Sequence, residues 1–138
     1  MSRIIRVAVM AGLAVTVLIS CASVEKQWSG EARDRKLFQR YAGPPVESFG
    51  FLLNRYQATQ HLGNGQFVLW TDVNEVHLIT VQQPCPWLDF SNHLMPIATN
   101  QVVTRGIAYV SKYDERCYIT EIRPVDYLRM KQDLHRQS

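Results

Sequence analysis

Residues 66–81 read QFVLWTDVNEVHLITV, and this stretch decides the fold. Its two ends, QFVLWT and VHLITV, are rich in β-branched and aromatic residues, whereas the DVNE between them carries short polar side chains that favour a turn. The pattern predicts an antiparallel hairpin. Because successive side chains of a strand point to opposite faces, we expect Val76 and Leu78 on a buried face and His77 on a solvated one.

The flanking sequence adds further elements of the same small domain. Gly106–Val110 and Cys117–Ile122 are β-rich runs separated by the polar turn Lys112–Glu115, which predicts a second strand–turn–strand unit. Another turn is predicted at the GNG sequence of residues 63–65, just before the first hairpin.

Helices are predicted at both ends of the domain. Arg33–Tyr41 has apolar residues at helical spacing and stops before a GPP sequence. Near the C-terminus, Pro124 is expected to open a helix with Val125, Leu128 and Leu134 on one face. The sequence therefore predicts an α+β fold: a small antiparallel β-sheet or partly open β-barrel with a short N-terminal helix and a C-terminal helix.

The N-terminus has the pattern of a cleavable secretory signal. Arg3 and Arg6 precede the apolar stretch Val7–Ile19. At about 1.5 Å per helical residue, this stretch is too short to span a hydrocarbon core of roughly 30 Å. It ends in LISC, residues 18–21, which resembles the bacterial lipobox, a signal in which the Cys thiol receives a diacylglycerol before cleavage. The alternative is an ordinary secretory signal with a coincidental Cys at its end.

This resemblance implies a layout and a location. We expect a lipoprotein signal peptide at residues 1–20, a lipidated tether at 21–32 beginning with Cys21, and a single small α+β domain at 33–138. The resemblance places the protein in the bacterial cell envelope, lipid-anchored on the periplasmic side. Ala22 favours the outer membrane over the inner one by the enteric sorting rule, although other bacteria use later positions.

Charge and composition narrow the classes of partner. Removing residues 1–20 takes away Arg3 and Arg6, so the formal net charge falls from +3 to +1. No basic stripe remains that would steer nucleic acid, and nucleic acid is not expected as a partner. The expected partners are the membrane, through the lipid, and another envelope protein.

The two remaining cysteines are expected to form a disulfide. With Cys21 taken by lipid, Cys85 and Cys117 are left in an oxidising compartment. The alternative is a metal site built on the two thiolates, but none of the four histidines lies at a short finger-like spacing from either Cys.

Four motifs taken together resemble a family of small proteobacterial envelope proteins that is known only as a domain of unknown function. The resemblance covers about Val46 to Asp126 and implies an exported domain with a Cys pair and no established activity. His77 departs from it, because an aromatic residue is more usual there. The motifs are FVLWT (67–71), VHLITV (76–81), PCPWLDF (84–90) and RCYI with EIRPVD (116–119 and 121–126).

Few residues indicate a specific chemistry. His77 lies near Asp72 and Glu75, which is a weak acid–base or metal pattern, and no nucleophile-elbow or phosphate-binding motif occurs. Trp70, Trp87 and His77 are candidates for lining a ligand groove, although aromatic residues of a small β domain more often belong to the core.

We therefore expect a non-enzymatic accessory or binding module with no catalytic residue, metal ligand or cofactor. One alternative is a small-ligand-binding β-barrel domain with Trp70 and Trp87 as walls. A less favoured alternative is a small metal-dependent hydrolase around His77. The sequence does not indicate an oligomeric state.

Overall fold

The computed structural model describes residues 30–50, 58–91 and 94–138. Cys21, the predicted signal peptide and most of the predicted tether lie outside these residues. Within the described ranges, no helix combines the length and the apolar character that crossing a bilayer would require.

In these described residues, seven strands and two α-helices make an α+β fold, as predicted. The sheet of five antiparallel strands has the order β2-β3-β4-β7-β6 and curls into a half-barrel, while β1 and β5 pair as a separate ribbon. The elements are α1 (30–41), β1 (Ser48–Gly50), β2 (Ala58–Gly63), β3 (Gln66–Trp70), β4 (Val76–Val81), β5 (Val102–Thr104), β6 (Tyr109–Lys112), β7 (Glu115–Val125) and α2 (Tyr127–Gln137).

The predicted hairpin is confirmed as β3 and β4. Leu69 lies opposite His77, and the turn closes through backbone hydrogen bonds in which the amides of Thr71 and Asp72 donate to the Glu75 carbonyl. The turn before β3 places Gly65 at φ 70°, in the left-handed region that glycine enters without steric cost. The second predicted strand–turn–strand unit is β6 and β7.

The prediction that Pro124 opens the terminal helix is wrong, because β7 runs on through Val125. The Pro124 carbonyl accepts a hydrogen bond of 2.7 Å from the Gly43 amide, and Ala42 forms a β-bridge with Val125. Arg123 adds two hydrogen bonds to this junction, donating to the carbonyls of Gly43 at 2.9 Å and Ala42 at 3.1 Å. The chain after α1 thus holds the end of β7 extended.

The apolar face predicted for the terminal helix is also wrong. Helix α2 starts after Asp126, whose side chain accepts a hydrogen bond from the Arg129 amide. Val125 is therefore a strand residue, and Leu128 and Leu134 are 52% and 42% exposed. Because the helix begins later than expected, its buried face instead carries Met130.

Both faces of the central strands are covered. The outer face packs against α1 and α2. The residues buried between these helices and the strands are Phe38, Leu62, Val68, Val76, Leu78, Val125 and Met130. The inner face packs against the β1–β5 ribbon and the chain around the cysteines; its buried residues include Phe49, Phe67, Leu69, Ile79, Val81, Trp87, Leu88, Val103 and Ile119.

The covered inner face overturns the placement of His77. This side chain points inward and is only 6% exposed, so the prediction of a solvated face is wrong. Its ring stacks on Phe49 of β1, with 3.9 Å between centroids and 13° between planes. Leu78, which was expected to be buried, is buried on the outer face.

Candidate functional site

The predicted disulfide is present. Cys85 and Cys117 are joined, with their Cα atoms 6.1 Å apart, and both belong to the buried inner core. Cys117 lies on β7. Cys85 is the first residue of what we call the closing segment, the described residues 85–91 and 94–99. The bond therefore fixes one end of the closing segment to the sheet.

The closing segment contacts β2, one edge strand of the half-barrel. It contains a short 3-10 helix, Leu88–Phe90. The carboxylate of Asp89 in this helix lies 3.0 Å from Nε2 of His61 on β2. Farther along, the Leu94 amide donates a hydrogen bond of 3.4 Å to Oγ1 of Thr59 on the same strand.

The closing segment also contacts β6, the opposite edge strand. Ile97 forms an antiparallel bridge with Tyr109, through backbone hydrogen bonds of 2.7 and 3.3 Å. Lys112 Nζ donates to Ser91 Oγ at 3.5 Å. The closing segment therefore reaches both edges of the open five-stranded sheet and covers its inner core.

Two carboxylates flank His61 where α1, β2 and the closing segment meet. Glu31 Oε1 lies 3.7 Å from Nδ1 and Asp89 Oδ1 lies 3.0 Å from Nε2, while the His61 side chain is 12% exposed. Neither contact has hydrogen-bond geometry. The imidazole thus lies between a carboxylate of α1 and a carboxylate of the closing segment. In residues 30–50, 58–91 and 94–138, no three His, Cys, Asp or Glu side chains are arranged to hold a metal ion.

A cavity of about 250 Å³ lies between the closing segment and β6. Apolar side chains line it from both sides, and so do three polar side chains, Ser91, Ser111 and Lys112. The lining residues are Trp87, Ser91, Leu94, Met95, Val110, Ser111 and Lys112.

Two polar side chains of this cavity, Ser91 and Lys112, contact each other. Ser91 Oγ donates to the Trp87 carbonyl at 3.1 Å and accepts from Lys112 Nζ. The ammonium also lies 5.1 Å from the centroid of the Tyr113 ring, and it forms no ion pair with a carboxylate in the described residues. Trp87 is 8% exposed, and its indole nitrogen has no hydrogen-bond partner among the described residues.

The structure does not bring Trp70, Trp87 and His77 into one groove. Trp70 packs on the outer face, edge-on to Phe38 and Tyr127 at 5.8 and 5.9 Å. Trp87 and His77 lie on the inner side, where Trp87 lines the cavity and His77 stacks beneath β1. Of the three candidates, only Trp87 is among the residues that line this cavity.

Burial also changes the chemistry of His77. Desolvation lowers the pKa of this imidazole below its ordinary value of 6.5, and the nearby charge of Glu75 only partly opposes the shift. The ring is therefore neutral at pH 7, and its Nδ1 has no hydrogen-bond partner among the described residues. The Asp72 carboxylate accepts a hydrogen bond of 2.7 Å from the Val73 amide within the turn.

The sequence did not indicate Lys112, Ser91 or His61 as site residues. Lys112 and Ser91 are 21 positions apart, and the carboxylates around His61 come from the first helix and from the closing segment. Only the Cys85–Cys117 bond could have suggested that the chain after Cys85 returns to the second hairpin.

The comparisons with known proteins give a family and no activity. No curated protein and no solved structure matches the chain. A model described as a family of unknown function matches residues 3–138, which is nearly the whole chain. The chain therefore belongs to the family of unknown function DUF6491.

Proposed function

We propose that this protein is a bacterial envelope lipoprotein, anchored by lipid at Cys21, whose half-barrel is a non-enzymatic binding or accessory module on the periplasmic side. The observation that carries the proposal is the Cys85–Cys117 disulfide, buried in the inner core. Structural disulfides persist in oxidising compartments such as the bacterial periplasm and are rare in the cytosol. The bond thus favours export, which the basic and apolar start of the chain also predicts.

The anchor is proposed from the lipobox-like residues 18–21. Each buried CH2 contributes about 0.8 kcal/mol, so two or three acyl chains hold a protein firmly on a membrane where a single chain does not. Gly30, the first described residue of α1, lies nine positions after Cys21. An extended chain covers at most about 3.5 Å per residue, so the domain would stay within roughly 30 Å of the lipid. The outer membrane is the proposed location.

The binding role is supported by the closing segment and its cavity. A disulfide and both edge strands hold the closing segment, which forms one wall of a small cavity with apolar and polar lining residues. A concave site that combines apolar walls with a few polar groups is the usual composition of a ligand site. Besides a small ligand, another envelope protein is a proposed partner of the module.

Mass spectrometry of the native N-terminal peptide tests the anchor. The full chain is expressed in a bacterium with an outer membrane, extracted from membranes and digested. We expect the N-terminal peptide to begin at Cys21 and to carry the mass of a diacylglycerol thioether. The Cys21→Ser variant should accumulate as uncleaved precursor, because the hydroxyl cannot form that thioether.

Ser20→Ala is the matched control, since it keeps a small residue before the Cys and should leave processing intact. An unmodified N-terminus at any other residue would overturn the anchor. Fractionation of the acylated protein then tests the location, and recovery with the inner membrane would contradict the outer-membrane proposal.

A further inference from the structure

We propose that the two helices lie against anionic phospholipid headgroups of the membrane that holds the lipid anchor. We call α1 (30–41) and α2 (Tyr127–Gln137) together the helical layer. This inference rests on the proposed lipid anchor at Cys21. It adds which side of the domain faces the bilayer and which class of lipid that side requires.

The first argument is the distribution of charge. The net charge of +1 that remains without residues 1–20 conceals a separation between two parts of the fold. The helical layer carries seven Lys and Arg against three Asp and Glu, a net charge of +4. Residues 42–126, which lie between the two helices in the sequence, carry five against eight, a net charge of −3. The positive side of the domain is therefore the helical layer, and an anionic membrane surface attracts that side.

The cations of α1 point away from the sheet. Phe38 is buried against the strands, whereas Arg33, Lys36 and Arg40 are exposed. Their spacing of three and four positions places these three cations on one face of the helix. Arg33 lies 3.8 Å from the carboxylate of Asp34, and the other two form no ion pair in the described part of the chain. This face can therefore contact headgroup phosphates.

The cations of α2 extend the same surface. The Asp133 carboxylate accepts a hydrogen bond of 2.9 Å from Tyr41 Oη and so joins α2 to α1. The same carboxylate lies 3.9 Å from Nε of Arg129 and 3.7 Å from Nη1 of Arg136, so one anion is shared by two guanidinium groups. Leu128 is 52% exposed on this helix. Helices that rest on a membrane surface combine basic side chains with apolar ones in this way.

The second argument is where the chain leaves the domain toward the anchor. Gly30 begins α1, and Cys21 lies nine positions before it. A chain of that length reaches at most about 30 Å, so the anchor is attached to the cationic layer and keeps it near the headgroups. Attraction between charges acts over about 8 Å at physiological salt and needs such proximity. Because a tether raises the local concentration of the surface, an attraction too weak to hold a free protein can orient a tethered one.

Two reporter positions test which side of the domain faces the bilayer. Gln132→Cys adds a thiol on the exposed face of α2, and Ser48→Cys adds one on the exposed side of β1 in the inner cover. Cys85 and Cys117 are bonded to each other, and Cys21 carries lipid in the proposed mature protein, so a maleimide fluorophore labels only the added thiol.

The full acylated chain is inserted into two kinds of vesicle, one of phosphatidylcholine alone and one of phosphatidylcholine and phosphatidylglycerol in equal amounts. Quenching of the label by acrylamide, which is neutral and stays in water, measures its exposure. We expect phosphatidylglycerol to lower the quenching constant at position 132 about twofold, because the attracted bilayer blocks roughly half of the directions of approach. The constant at position 48 should not change. High salt should restore quenching at position 132, since it screens the attraction.

Substitutions then locate the attraction. The double variant Lys36→Gln with Arg40→Gln removes two charges from the helical layer and should restore quenching at position 132, as high salt does. The matched control is Arg105→Gln with Arg116→Gln. It removes the same charge from outside the helical layer and should leave position 132 protected. Circular dichroism checks that both variants are folded.

Each outcome bears on the proposal. Equal quenching at position 132 in the two kinds of vesicle would overturn it, as would stronger protection at position 48. Protection that survives both high salt and the helical-layer variant would not be electrostatic and would also contradict it. Protection that appears only in vesicles made from whole native membranes would assign the layer to an acidic protein instead of lipid. Failure of the anchor is distinguishable, because the N-terminal mass shows it before any vesicle is added.

Discussion

The two faces of the half-barrel are covered in different ways. On the outer face, α1 and α2 pack against strands β2, β3, β4 and β7. On the inner face, a two-stranded ribbon and the disulfide-held closing segment pack against the strands, and the described residues of this cover contain no α-helix. Helices satisfy their own backbone groups, whereas an irregular cover must find partners among side chains and edge strands. The Trp87 indole nitrogen, which has no hydrogen-bond partner among the described residues, and the small cavity both lie at the closing segment.

The strongest test of this comparison uses two neighbouring residues of β4. Leu78 faces the helices and Ile79 faces the inner core, and both are at most 1% exposed. We expect Leu78→Ala and Ile79→Ala each to lower the free energy of unfolding by about 2–5 kcal/mol, since each leaves a cavity in a packed core. Urea unfolding followed by circular dichroism measures both.

Lys131→Gln serves as the surface control and should stay within roughly 0.5 kcal/mol of the parent. A large loss at Leu78 with almost none at Ile79 would mean that the inner cover is loose and does not form a true core. The reverse result would say the same of the helical cover.

The strands could be predicted from the sequence, but their faces could not. QFVLWT and VHLITV are nearly continuous apolar runs, which is typical of strands buried on both sides. The prediction instead applied a strict alternation of buried and solvated residues, and this placed His77 in water. What covers the second face is set by segments distant in sequence, and no pattern within β4 reveals them.

The terminal helix was predicted, but its start was not. Pro is favourable in a first helical turn, and this preference suggested Pro124. The structure places Pro124 in β7 because the Gly43 amide and Ala42 lie alongside it. Contacts between residues at least 80 positions apart override this local preference.

One part of the candidate site could be predicted from the sequence and another part could not. The disulfide followed from compartment and cysteine count, which are properties of the whole chain. The cavity depends on how Lys112 meets Ser91 across the gap between a strand and an irregular segment. Neither residue type at those positions carries a local signature, so only the fold brings them together.

The second prediction concerns the bond that holds the inner cover. Cys117→Ser should lower the free energy of unfolding by about 2–5 kcal/mol, because the open chain regains the loop entropy that a link across 32 positions removes. Urea unfolding with and without reductant measures the effect: the parent should lose stability when reduced, and the variant should not respond.

The double variant Cys85→Ser with Cys117→Ser is the control, and it should be about as stable as the single one. Hydrogen exchange should show that protection falls most in the closing segment and least in α1 and α2. Two free thiols in the unfolded and unreduced parent would contradict the bond itself.

The smallest effect should come from His77, the one titratable side chain buried beneath the inner cover in the described residues. Burial lowers the pKa of its imidazole below 6.5, so the folded protein takes up this proton at a lower pH than the unfolded chain does. As the pH falls below about 6.5, the unfolded chain therefore binds more protons, and the free energy of unfolding decreases. Well above that pH, where the imidazole is unprotonated in both states, His77 should contribute no pH dependence.

Urea unfolding at intervals between pH 7.5 and pH 5 measures this dependence in the parent, His77→Phe and His135→Gln. His77→Phe keeps a ring against Phe49 and cannot be protonated, so its stability should fall less steeply with acidification than that of the parent. His135 is exposed on α2, and its variant should follow the parent curve. If His77→Phe and the parent lose stability in parallel, the imidazole can be protonated without opening the inner cover. In that case the closing segment and the ribbon admit water to the inner core, and the two faces differ in more than the kind of element that covers them.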